Sequence, residues 1–303
     1  MSTRVVMTLL VRNEEDVIAE NILFHYAQGV ESFLVMDNLS TDATSAILRR
    51  LARFVPITYI QQTSDTYDQA QWVTEMARSA YQDHGADWVI NNDADEFWLF
   101  PDGDAPSFLD SVAPGIAGLF VQRFNAVLPE SGRRRDGLAH PSQSRFFWRE
   151  SVNALNRPLP AKCMHRAFAD VTVDQGNHEI FGHQGSLEFS DQVSIFHFPY
   201  RSFSSYQSKI RLGGAAYQRN QGLPRSWGDA WRQQHRLLRR DGLWEFWCGL
   251  QTTPEALAQG LKEGSIFEDA RLFVAVKSLR AKYRWFWLKC RISRWLSLSL
   301  IHI

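Results

Sequence analysis

Over its first hundred residues the chain alternates between short apolar runs and amphipathic stretches. Thr3 to Val11, Ser32 to Asp37, Ile57 to Ile60 and Asp87 to Asn92 read as strands, the first of them buried on both faces. Between them the apolar positions recur at helical spacing: Ile18, Ile22, Leu23 and Tyr26 share one face. Helices are expected up to Gly29, over about 43–54 before the break at Pro56, and over 68–83 before Gly85. Asn13 is expected to cap the first helix, with Glu14, Glu15 and Asp16 in its first turn at the positive end of the helix dipole. Strand–helix alternation of this kind builds an α/β fold with a mostly parallel sheet and helices on its faces. In open sheets of this type ligands bind outside the carboxyl ends of the strands. Three polar clusters fall there: Arg12 to Asp16, Asp37 to Asp42, and Asp93 to Glu96.

The chain has 303 residues, 45% hydrophobic and 22% charged, enough for one large domain with a helical extension. The expected division is a sheet-based domain over 1–215 and helices over 216–303. Cys163, Cys248 and Cys290 lie far apart, and no CxxC occurs. That pattern argues against a zinc site or a disulfide framework and fits a reducing compartment. The apolar run Val5 to Val11 leads straight into Arg12-Asn13-Glu14-Glu15-Asp16, with no small-residue cleavage site, so it reads as a strand. No stretch approaches the roughly 18 uninterrupted apolar residues of a membrane span. A cytoplasmic location is expected.

The middle of the chain is less regular. Leu119 to Phe124, Arg145 to Trp148 and Val193 to Phe198 read as strands, and the polar, basic stretch 129–143 reads as a mobile lid. From Ser202 onward the signals are mainly helical.

Asp93 and Asp95 stand two apart at a strand end, where side chains alternate, so both carboxylates are expected on one side. Such a pair repels itself unless a cation sits nearby. Mg²⁺ or Mn²⁺ prefers hard oxygen ligands and completes its shell with water and phosphate. An Asp-x-Asp alone is a weak signal. Here it lies between Trp88-Val89-Ile90 and Phe97-Trp98-Leu99-Phe100, and acids so flanked are partly buried and need partners.

Four segments together resemble the family-2-like glycosyltransferases of the GT-A fold, in the branch with an Asp-x-Asp-Glu-Phe motif. They are Leu10-Val11-Arg12-Asn13-Glu14-Glu15-Asp16, Met36-Asp37-Asn38-Leu39-Ser40-Thr41-Asp42, Asn92-Asp93-Ala94-Asp95-Glu96-Phe97, and His197-Phe198-Pro199-Tyr200-Arg201-Ser202 with Lys209 beyond. The resemblance covers roughly 4–215. It implies a GT-A fold, a nucleotide-sugar donor, a divalent metal (Mn²⁺ or Mg²⁺) and transfer with inversion. It places Arg12, Asn13 and Glu14 near the nucleotide and has Asp37 hydrogen-bond the base or ribose. Asp93 would contact the ribose or the metal, Asp95 would ligate the metal, and His197 would complete the metal shell or contact the diphosphate. Arg201 and Lys209 would contact phosphate oxygens. Plainer alternatives stand beside these roles: Asp37 and Asp42 as turn and cap residues, Asn13 as a cap only, His197 as a core histidine, and Arg201 and Lys209 as surface charges.

Displacement at an anomeric carbon needs a base for the acceptor hydroxyl. Asp170, Asp174, Glu179, Glu188 and Asp191 follow the metal motif. Glu179 is favoured, because Gly176-Asn177-His178-Glu179 joins a flexible glycine to two titratable groups; His178 would contact the donor or assist the base.

Residues 271–303 hold eight Lys or Arg and no Asp or Glu, leaving 25 basic against 33 acidic residues elsewhere. Lys277, Arg280, Arg284, Arg291 and Arg294 fall on one helical arc beside Trp285, Phe286 and Trp287. A cationic, aromatic helix suits an anionic membrane surface, and so a peripheral location near glycan or lipid-linked acceptors. The alternative is a packed terminal helix with a solvated basic face. No nucleic-acid recognition motif accompanies the tail. A nucleotidyltransferase is the closest enzyme rival, but its glycine-rich basic phosphate loop is absent after Val11. A non-catalytic glycan-binding relative is the other alternative.

Overall fold

β1 (Val5–Val11) alternates its side chains between two apolar layers, which is why it forms the centre of a two-faced sheet. Val5, Met7, Leu9 and Val11 enter one core, while Val6 enters the other. The computed structural model describes residues 2–65, 68–130, 139–219 and 228–287. After β1 come α1 (Ile18–Ala27), β2 (Ser32–Asn38), α2 (Thr44–Leu51), β3 (Ile57–Gln62), α3 (Gln69–Gln82) and β4 (Trp88–Asn92). Then follow β5 (Glu96–Leu99), α4 (Ala105–Asp110), β6 (Ile116–Asn125), β7 (Phe146–Trp148), β8 (Lys162–Arg166), β9 (Thr172–Val173), β10 (Ile180–Phe181) and β11 (Ser186–His197). The last elements are α5 (Phe203–Arg219), α6 (Asp229–Leu238), α7 (Leu243–Gly249), α8 (Pro254–Glu263), β12 (Ile266–Glu268) and α9 (Arg271–Lys282).

The main sheet has eight strands in the order β3-β2-β1-β4-β8-β6-β11-β5. β3, β2, β1 and β4 run parallel. β8 runs antiparallel to β4 and to β6, β6 and β11 are parallel, and β5 is antiparallel to β11. The expected mostly parallel sheet flanked by helices is therefore present. α1, α2 and α9 supply Ile22, Leu48 and Leu272 to the core on one face; α3 supplies Trp72, Val73 and Met76 to the other. A third apolar cluster joins α5 and α7 through Phe203, Tyr206, Ile210, Leu243 and Trp247.

Several expectations are corrected. α1 begins at Ile18, and Asn13 is not its cap. Asn13 has φ 57°, a left-handed conformation that asparagine tolerates, and its Oδ1 accepts from Thr41 N at 2.8 Å. The loop 12–17 is thereby tied to the loop after β2 instead of being wound into helix. β5 and β8 are strands that the periodicity does not reveal, since both are short and pair with distant segments. The domain division expected at 215 falls inside α5. Most of the basic stretch 129–143, residues 131–138, lies outside the described residues.

α9 is part of the body. Leu272, Val276 and Phe286 are fully buried in the core that holds α1, and Arg280 on its outer side pairs with the buried carboxylate of Glu20. Arg291 and Arg294 of the expected basic arc lie outside the described residues. Among the described residues no helix is long and apolar enough to cross a membrane.

Candidate active site

The carboxyl ends of β1, β2 and β4 open into one cleft of about 440 Å³, closed on its far side by α5 and α6. Parallel pairing in register brings Val11 beside Asp37, and Leu9 beside Asn92, so the three polar clusters meet as expected.

Asp93 and Asp95 do not lie on a strand. β4 ends at Asn92, and Glu96 N donates to Asp93 O at 3.0 Å, closing a turn that starts β5. The alternation that would put both carboxylates on one side therefore does not apply, and each has its own cation. Asp93 Oδ2 accepts from Lys162 Nζ of β8 at 2.6 Å. Asp95 Oδ2 accepts from Lys209 Nζ of α5 at 2.6 Å, with Arg201 Nη1 at 3.5 Å. Burial alone would raise both acids; Lys162 overcomes it at Asp93, and Lys209 with Arg201 overcomes it at Asp95, so both stay below the usual carboxylate range. Beneath them Glu96 is fully buried and bonds Arg123 Nη1 of β6 at 3.0 Å.

β11 delivers His197 to the same place, opposite Glu96 across the β5 pairing. Its Nδ1 lies 2.7 Å from Asn125 Oδ1. Asn125 Nδ2 donates to Val152 O, which turns Oδ1 toward the ring, so Nδ1 carries the proton and Nε2 carries the lone pair. Burial holds the imidazole neutral, down to about 3, against the pull of Asp95. Nε2 stands 3.7 Å from Asp95 Oδ1. Two acceptors thus face each other across a gap that suits a cation, and the histidine is oriented from behind by an amide oxygen as metal-bound histidines are. Among the described residues no three His, Cys, Asp or Glu side chains converge in a metal-holding cluster. A pair is sufficient for Mg²⁺ or Mn²⁺, which take few protein ligands and fill the shell with water and phosphate. Asp95 and His197 fit such an ion; Asp93 is turned to Lys162.

The other expected residues divide. Arg12, Asn13, Glu14 and Lys209 line the cleft. Arg12 is held by Asp65 at 2.8 Å. Asp37 is buried behind the cleft, with Oδ1 accepting from Ser40 N and Oδ2 from the Tyr59 hydroxyl, both at 3.0 Å; Asn38 lines the cleft in its stead. Arg201 borders the cleft, but its donors face inward. Nε and Nη2 grip Asp16 at 2.9 and 3.0 Å, Nη2 also reaches Glu14 at 2.5 Å, and Nη1 donates to Phe198 O. It is a buried tie between loop 12–17 and the end of β11, not a free phosphate ligand. Burial pushes Glu14 up to about 7 in spite of this guanidinium. His178 lines the cleft, its Nδ1–H donating to Ala161 O at 3.0 Å, and burial keeps it neutral, near 3. Glu179 is exposed and outside the cleft.

No protein-family model matches the chain, and no curated protein matches it. Solved structures do. One is S. aureus TarS 1-349 in complex with UDP-GlcNAc, at 12% identity over 93% of this chain and 92% of that one, TM-score 0.44. Another is the mannosyltransferase PcManGT from Pyrobaculum calidifontis with GDP-Man and Mn²⁺, at 15% identity over 99% and 87%, TM-score 0.41. A third is glucosyl-3-phosphoglycerate synthase from Mycobacterium tuberculosis with Mg²⁺ and UDP, at 18% identity over 41% and 44%, TM-score 0.28.

Two cations escaped the sequence. Lys162 is 1% exposed inside the apolar strand Lys162-Cys163-Met164-His165, and Arg123 is 6% exposed in β6. A lysine interrupting a short apolar run is the signal that would have found the first, since a buried ammonium needs a carboxylate.

Proposed function

We propose that the chain is a glycosyltransferase that moves a hexose, with inversion, from a nucleotide-sugar, in the first instance UDP-linked, to a glycan or lipid-linked acceptor. The observation that carries this is the lone pair of His197 Nε2 set against Asp95 Oδ1, in a cleft with two lysines at the carboxyl ends of parallel strands. Arg12, Asn13 and Asn38 form the nucleotide end. Asp95 and His197 would hold Mg²⁺ or Mn²⁺, which when bound offsets the charge of a departing diphosphate. Lys209 is one-third exposed at the cleft edge, so its ammonium can exchange the Asp95 carboxylate for a phosphate oxygen. Lys162, almost fully buried, fixes Asp93. His178 contacts the donor through Nε2, its one unprotonated nitrogen.

Calorimetric titration of UDP tests this. Binding about tenfold or more tighter with Mn²⁺ than with EDTA is expected. Silence of UDP, GDP and CDP in both conditions would leave a glycan-binding protein without nucleotide chemistry. Glu179 faces solvent, so Glu179→Gln is expected to keep donor turnover within about twofold, as exposed substitutions usually do. A larger fall in kcat would bring that carboxylate back as the base.

We further propose that the basic, aromatic end meets an anionic membrane surface. Deletion of 271–303 would strip Leu272, Val276 and Phe286 from the core, so the informative truncation removes 288–303 only. Full-length protein is expected to float with vesicles containing an anionic lipid, and the truncated chain to float less. Equal recovery ends the proposal.

A further inference from the structure

The cleft has two chemically different ends. Around Asp95 and His197 it is charged. Toward α6 it becomes aromatic, with Tyr200, Tyr217 and Trp231 on its wall and Gln234 beside them. The helices are built to present Trp231. Gly213 of α5 lies directly against the indole: a Cβ there would stand 2.6 Å from Trp231 Cζ3 and 2.7 Å from Cε3. No residue larger than glycine fits at 213 without moving the ring. Trp231 is only half-buried, so that close packing on one side coexists with an accessible surface in the cleft. Lys209 connects the two ends. Its Nζ is 2.6 Å from Asp95 Oδ2 and 6.0 Å from the centre of the Trp231 ring. A ligand joined to a phosphate at Lys209, or attacking one step beyond it, therefore meets the indole next.

What such a wall recognises follows from its chemistry. A purely apolar ligand would strip water from the one-third-exposed ammonium of Lys209, which has donors beyond the one it gives to Asp95. A purely ionic one would gain little from three aromatic rings. A pyranose has both parts, a C–H face that stacks on an aromatic ring and a rim of hydroxyls that accept from and donate to polar side chains. Resting on the function proposed above, we infer that Trp231 is the platform on which a pyranose ring stacks in this cleft. The ring belongs either to the donor's sugar or to the acceptor.

Trp231→Ala and Trp231→Phe decide it, with UDP, UDP-glucose, UDP-galactose and UDP-GlcNAc as calorimetric probes in Mn²⁺. Methyl glucoside, methyl galactoside and methyl mannoside serve as saturation-transfer probes in the presence of UDP. The nucleotide end does not touch Trp231, so UDP is expected to bind both variants within about twofold of the wild type. If the donor's sugar stacks, the extra affinity of the preferred UDP-sugar over UDP falls about tenfold in Trp231→Ala and recovers in Trp231→Phe. If the acceptor stacks, the UDP-sugar is unaffected and the ring C–H signals of a methyl glycoside disappear in Trp231→Ala. Unchanged UDP-sugar affinity together with unchanged or absent glycoside signals overturns the proposal while leaving the nucleotide site standing. Loss of UDP binding by Trp231→Phe also overturns it, by making the indole a structural support. Silence of the wild type toward every nucleotide removes the donor function itself, and this platform with it.

Discussion

Replacing Asp95 with asparagine is expected to abolish Mn²⁺-dependent UDP binding and to lower sugar transfer by about 10²- to 10³-fold, the usual range for losing one preorganised electrostatic partner. The amide keeps the shape of the carboxylate but not its charge. Oδ1 no longer gives an anionic ligand opposite His197 Nε2, and Lys209 loses the charged partner that holds its ammonium beside the site. The fold is expected to survive. Arg201 keeps Asp16 and Glu14, and Lys209 is exposed enough to be solvated. A melting temperature within a few degrees of the wild type, alongside lost binding, is therefore the signature. Asp93→Asn provides the contrast. Asp93 is bonded to Lys162 and turned from His197, so this change should weaken transfer less, by about tenfold. Mn²⁺-dependent UDP binding retained by Asp95→Asn would show that the ion sits elsewhere or is not used.

The difference between these two aspartates marks where sequence reasoning reaches its limit. Their partial burial was legible, because Trp88-Val89-Ile90 and Phe97-Trp98-Leu99 leave acids between them little water; Asp95 is buried and Asp93 about one-third exposed. The parallel core was legible as well, since β1 pairs with β2 and β2 with β3, each across a single helix, and all four of the first strands carry strong apolar signals. What spacing cannot give is the direction in which a side chain points once the backbone turns. Asp93 and Asp95 look equivalent on a strand and diverge in a turn. Asp37 sits at the end of β2 where a ligand would bind, yet Ser40 N and Tyr59 take both of its oxygens. Nor can spacing reveal a partner that arrives from far along the chain. Lys162 is 69 positions from Asp93, and Lys209 is 114 from Asp95. β5 and β8 were missed for the same reason: each is stabilised by strands that come much later or run the other way.

Arg201 shows the largest consequence of such a distant partner. Its motif suggested a phosphate ligand, but its guanidinium ties Glu14 and Asp16, 187 and 185 residues away, to the end of β11. Burial works against the charge, and Asp16 with Glu14 outweighs it, so the guanidinium is held above its ordinary value. Arg201→Met should therefore act first on stability. It leaves the half-buried carboxylates of Glu14 and Asp16, with the buried Asp95 beyond them, without their shared cation, an arrangement that costs about 3–5 kcal/mol. For a chain of this size that corresponds to a fall of about 10 °C in melting temperature. The cost belongs to the uncompensated acids and not to the missing arginine alone. Arg201→Met combined with Glu14→Gln and Asp16→Asn is accordingly expected to regain a large part of it, because a network removed as a whole is far less damaging than one broken at its centre. Thermal melts of the single and triple variants check both statements. A single variant that melts with the wild type but loses UDP would mean that the guanidinium leaves Asp16 when the donor binds, and would return Arg201 to the diphosphate.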